Sequence, residues 1–130
     1  MRKFLFVCAF SLLGLAVQGQ SIWEKWKELK EFHGVMSQTF HPSEEGNLEP
    51  IKKRSGEMAQ KAQVLAKSVI PKEYATAKIK NAVKRLNESS QKLDKLIGSG
   101  KASDEQIKNE LSALHDIFHE IVGLCKNEQH

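Results

Sequence analysis

Residues 103–125 read SDEQIKNELSALHDIFHEIVGLC. Ile107, Leu111, Leu114, Phe118, Ile121 and Cys125 recur at alternating intervals of four and three. That spacing draws a single apolar stripe down one α-helix. Ser103 and Gln106 form a capping box, in which the serine caps the first turn and the glutamine reaches back to the serine amide. A helix so one-sided has to bury its stripe, and the remainder of the chain must supply the partners.

Upstream, the same spacing recurs three times. Ile22, Trp26, Leu29, His33, Met36 and Phe40 predict a first helix over about Ser21–Thr39, with His33 on its seam. Pro42 and Gly46 punctuate its end, and Pro42 is expected to push His41 out of the helical region. A second helix opens near Leu48 with Pro50 in its first turn, where a missing N–H costs nothing. Its seam is Ile51, Ser55, Met58, Ala62, Leu65 and Val69, and Pro71 stops it. A third helix over about Lys72–Ile97 carries Ile79, Ala82, Leu86, Leu93 and Leu96 or Ile97, with Ser89 or Ser90 as its weak point. Gly98-Ser-Gly100 ends it before the fourth helix, the one quoted above. Four amphipathic helices on short loops predict an all-α, up-down-up-down antiparallel four-helix bundle.

The first 19 residues read differently. Met1-Arg2-Lys3 precedes the apolar run Phe4–Val17 and the exit Gln18-Gly19-Gln20. A basic start, an apolar stretch and a small-residue exit make a cleaved secretory signal peptide, residues 1–19, with cleavage after Gly19. The apolar run is shorter than the roughly 20 residues needed to span a bilayer, so no stable membrane insertion is expected after cleavage. Residues 20–130 are then one bundle domain, and the Gln-Gly-Gln exit has a bacterial look that places it in a Gram-negative periplasm. The formal charge of +4 includes Arg2 and Lys3, so the mature chain carries +2. Lysines alternate with acidic residues, and no basic cluster with interleaved aromatics points to nucleic acid. Cys8 leaves with the signal, so Cys125 is the single mature cysteine and no internal disulfide forms. It is expected to be a small buried hydrophobe, with an intermolecular disulfide as the alternative; the closed seam otherwise favours a monomer or weak dimer.

Chemistry is hinted at only by the histidines. Four of the five fall in two aromatic-rich stretches, Phe32-His33…Phe40-His41 and His115-Asp-Ile-Phe-His119. Residues four apart project from one helix face, and imidazole is the commonest transition-metal ligand. Counting from the end shared by antiparallel first and fourth helices, His33 lies roughly 18 Å deep and His115 roughly 16.5 Å deep. His115 stands about 60° and His119 about 100° from the middle of the fourth seam. If that side faces the first helix, His33, His115 and His119 form one cluster; if it faces the third, they do not. Met36, and Glu57 or Met58 on the second helix, are further candidate ligands at that depth, and His41 is another, expected about 12 Å above His33.

These readings favour a metal-binding or metal-buffering protein for Zn²⁺ or Cu²⁺. The alternatives are an envelope interaction or adaptor protein with structural histidines, and a carrier of non-covalent haem b. No nucleophile triad, Gly-rich phosphate loop or paired carboxylates stand out, so an enzyme ranks last. At the level of architecture the chain resembles the exported four-helix cytochromes of the cytochrome b562 and cytochrome c′ group. That resemblance covers all four helices and rests on pattern. It implies a haem between the first and fourth helices, held by counterparts at Met36 or His33 and at His115 or His119. The C-x-x-C-H attachment motif is missing, which excludes covalent haem. The segment Phe40-His-Pro-Ser-Glu-Glu-Gly-Asn-Leu also looks like stretches of exported bacterial bundle proteins.

Overall fold

A computed structural model describes residues 21–127; the signal sequence assigned to residues 1–19 lies outside them. The described chain is helical, with no strand among these residues. A single turn, α1 (Ile22–Lys25), leads into α2 (Lys27–Glu44). Then come α3 (Glu49–Lys67), a 3₁₀ turn at Lys72–Tyr74, α4 (Ala77–Gly98) and α5 (Asp104–Asn127). Each long helix packs along the next, whereas α2 and α5 meet only sparsely. None of the helices is long and apolar enough to cross a membrane.

The stripe on α5 is buried at all six positions from Ile107 to Cys125, and the capping box forms as read. Ser103 Oγ accepts from the Gln106 amide at 3.1 Å, and Gln106 Oε1 accepts from the Ser103 amide at 2.9 Å. Pro50 stands in the first turn of α3, and α4 ends at Gly98 ahead of Gly100, whose φ is +71°. Ion pairs and hydrogen bonds cross between the helices, from Arg54 to Gln38 and from Lys61 to Glu31. Ser55 donates to Asp94 and Gln91 to the Ala59 carbonyl, while Lys92 pairs with Glu110 and Arg85 with Glu120.

Five local expectations are corrected. The first helix is broken at Trp26, whose extended ψ of 86° divides α1 from α2. Its seam turns toward Phe32 and Val35, both buried, while His33 and Phe40 sit at the seam's edge. Three or four residues from Leu29 are equivalent by spacing, and the fully apolar ring takes the inner place over the half-polar one. Pro42 does not end the helix: it lies inside the last turn of α2, and His41 stays helical. The stop is Gly46, at φ +89°, where the Gly46 amide donates to the Ser43 carbonyl and the Asn47 amide to the Pro42 carbonyl. This Schellman pattern satisfies the final carbonyls and needs a residue free to adopt the left-handed region.

Beyond α3, the helix stops at Lys67, and Val69 is 91% exposed rather than on the seam. The third helix begins at Ala77, not Lys72, where Thr76 Oγ1 accepts from the Ile79 amide. The intervening 3₁₀ turn buries Tyr74 beside Trp26, with ring centroids 6.2 Å apart, and so closes that end of the core. Ser90 is the weak point anticipated on α4: it is buried, and its hydroxyl has no hydrogen-bond partner.

Candidate functional site: a histidine and aromatic cleft between α2 and α5

The sparse contact between α2 and α5 leaves a cleft of about 330 Å³. Its walls carry His33, Met36 and His41 from α2 and His115 and His119 from α5. The side of α5 that bears the histidine pair therefore faces α2, which the sequence had left open. The expected ligands His33, Met36, His41, His115 and His119 all line this one space. Glu57 and Met58 do not: Glu57 is held by Arg54, and Met58 is fully buried in the core.

His115 and His119 are already together. Their Nε2 atoms stand 3.1 Å apart, so one ring donates the N–H that the other accepts. His115 is half-buried and lies flat on Phe40, with centroids 3.7 Å apart and planes 5° apart. Its pKa is lowered from the usual 6.5, first by burial and then by the neighbouring His119. Asp116 and Glu44 pull in the opposite direction, more weakly. The neutral ring, the form that binds metals, is thus favoured at neutral pH.

His33 is exposed, yet it packs against two aromatic rings. It stacks on Trp23 at 4.6 Å and on Phe118 at 5.4 Å, all three rings being close to parallel. Its pKa is lowered by burial first, then by the charges of His119 and His41. That electrostatic coupling ties His33 to the opposite wall. His41 is exposed, and its Nδ1 lies 3.4 Å from Glu44 Oε1. A carboxylate on one imidazole nitrogen fixes the ring and leaves the other nitrogen as the available ligand. Met36 is the buried member of the group, at 1% exposure.

The assembly is partial. No group of three His, Cys, Asp or Glu side chains stands at metal-holding spacing among the described residues. The paired nitrogens of His115 and His119 come closest. Cys125 is buried on the core face of α5 and does not line the cleft. The sequence reading missed the aromatic walls. Trp23, Phe40 and Phe118 were visible as rings adjacent to the histidine stretches, but their stacking depends on how α2 and α5 meet.

No protein-family model, curated protein or solved structure matches this chain. The resemblance to the four-helix cytochromes thus has no sequence or structural match behind it.

Proposed function

We propose that this chain is an exported four-helix bundle that binds one transition-metal ion, Zn²⁺ or copper, in the α2–α5 cleft. Its helices run up, down, up and down, a reading supported by the cross-helix pairs. Gln38 with Arg54 and Glu31 with Lys61 climb one helix as they descend the next, as do Asp94 with Ser55 and Gln91 with Ala59. The ligands are His115 and His119, with His33 completing the set and Met36 and His41 at its margin. The role is binding or buffering in the bacterial envelope, with export resting on the sequence of residues 1–19.

One observation carries this reading: two imidazole nitrogens 3.1 Å apart open into a cleft that holds two further imidazoles. Two nitrogens about 2.0–2.1 Å from a tetrahedral Zn²⁺ lie about 3.3 Å from each other. The observed pair is close to that separation, so an ion displacing the shared proton requires the two rings to turn their lone pairs to one point without moving their nitrogens far apart. His33 lines the same cleft, and its coupling to the charge of His119 makes it the third ligand of this reading. The stacking walls hold the rings in few orientations, which lowers the ordering cost of binding.

The test is calorimetric titration of the metal-stripped mature protein with Zn²⁺ and Cu²⁺ near neutral pH. One ion per chain is expected, and His119→Ala or His33→Ala should abolish stoichiometric binding. Unchanged affinity in His33→Ala would remove His33 from the site. Unchanged affinity in both His115→Ala and His119→Ala would remove the site itself.

A further inference from the structure

We infer that the cleft selects the cuprous ion over divalent metals, a proposal that rests on the metal-binding reading above. The donors around the cleft are neutral. Four histidines and Met36 line it, no Asp, Glu or Cys does, and its one Lys or Arg is the cationic Lys126. The closest carboxylate on α2, Glu44, is turned to His41 Nδ1 and lines a separate depression on the other side of Phe40. Asp116 is exposed on α5 and also lies outside the lining.

Charge decides between the ions. The cost of moving an ion out of water rises as the square of its charge, so a divalent ion costs about four times as much as a monovalent one. Anionic ligands would offset more of that cost for a divalent ion than neutral imidazoles do, and no carboxylate or thiol lines this cleft. A monovalent ion needs less compensation, and neutral nitrogen and sulfur donors suit it. Softness agrees with charge: thioether ligands select Cu⁺, and the buried Met36 is the one methionine among the lining residues. The rings of Trp23, Phe40 and Phe118 lower the local polarity of the cleft further. The ion is bound as Cu⁺, and no electron transfer takes place in the cleft.

The competing soft donor in the mature chain is Cys125, and the test must separate it. Under argon, the metal-stripped protein is titrated with Cu⁺ buffered by bicinchoninate, and in parallel with Zn²⁺. One Cu⁺ per chain is expected, bound at least about tenfold more tightly than Zn²⁺. Met36→Leu, a volume-conserving change in the core wall, should weaken Cu⁺ binding about tenfold or more and narrow the preference for Cu⁺ over Zn²⁺. Copper X-ray absorption of the unaltered protein should show a sulfur scatterer that persists in Cys125→Ser. Zn²⁺ bound as tightly as Cu⁺, full Cu⁺ affinity in Met36→Leu, or loss of the sulfur scatterer in Cys125→Ser would each overturn the inference. Zinc bound without a copper preference would leave the metal-binding reading standing, whereas failure of both ions to bind would remove both.

Discussion

Two interhelical seams of this molecule both carry polar side chains, and they treat them differently. Between α3 and α4, polar groups are matched at close range. Ser55 Oγ donates to Asp94 Oδ1 at 2.8 Å, and Gln91 Nε2 donates to the Ala59 carbonyl at 2.8 Å and to Asn87 Oδ1 at 3.0 Å. Across the α2–α5 seam, the imidazoles find each other and aromatic faces, with a carboxylate only at His41. Matched polar groups fix how helices meet and leave nothing for a ligand. Convergent imidazoles that share a single proton, in a gap where the helices barely touch, are the groups on which the proposed binding rests. The contrast separates polar residues that hold the bundle from polar residues the bundle holds in place.

The sharpest way to break that contrast is to compare stability costs in the metal-free protein. Leu86 is fully buried, and Leu86→Ala should cost about 2–5 kcal/mol in chemical denaturation. His119→Ala should cost less than about 0.5 kcal/mol while removing the metal response. If His119→Ala destabilises as much as the leucine change, the histidines are structural. A smaller effect is expected on the matched seam. Ser55→Ala takes a hydrogen bond from the half-buried Asp94 and should cost about 1–3 kcal/mol. Ser90→Ala, which deletes the one partnerless buried hydroxyl among the described residues, should be neutral or stabilising by up to about 1 kcal/mol. A destabilising Ser90→Ala would mean that the hydroxyl has a partner in solution.

The smallest effect is a pH slope. His33 and His115 have folded pKa values below the usual 6.5, so on acidification the unfolded chain takes up these protons first. Their contribution to stability is complete above about pH 6.5 and is lost as pH falls through the lowered folded values. The melting temperature of the metal-free protein should therefore fall between about pH 7 and pH 5, and the double change His33→Gln, His115→Gln should flatten that fall. An unchanged slope would show that the stacked rings titrate like free histidine.

Much of this arrangement was legible in the sequence. The α5 stripe, the Ser103–Gln106 box and the weak point at Ser90 all follow from spacing and local hydrogen-bond chemistry. The helical rise alone set His33 level with His115, whereas in the fold His115 lies on Phe40, two turns along α2 from His33, and His33 stacks on Phe118 instead. What spacing could not give was the choice between Phe32 and His33 for the inner place, since both lie within reach of the seam. Nor could it decide which way α5 turns its histidines, because that depends on the packing of all four helices. The helix through Pro42 was hidden by the proline's general effect, although Gly46 and Asn47 carried the true stop. Tyr74 was missed because a 3₁₀ turn has no long periodic pattern to read. The aromatic walls of the cleft are tertiary in origin: Phe40 and His115 are far apart in sequence and face to face in the fold.

The central claim is that His115, His119 and His33 act on one ion. It is tested most directly by following the imidazole nitrogens of all five histidines in long-range ¹H–¹⁵N spectra during Zn²⁺ addition. The account predicts that nitrogens of His115, His119 and His33 shift together and are complete at one equivalent. Weak, parallel shifts of every histidine, continuing well past one equivalent, would contradict it.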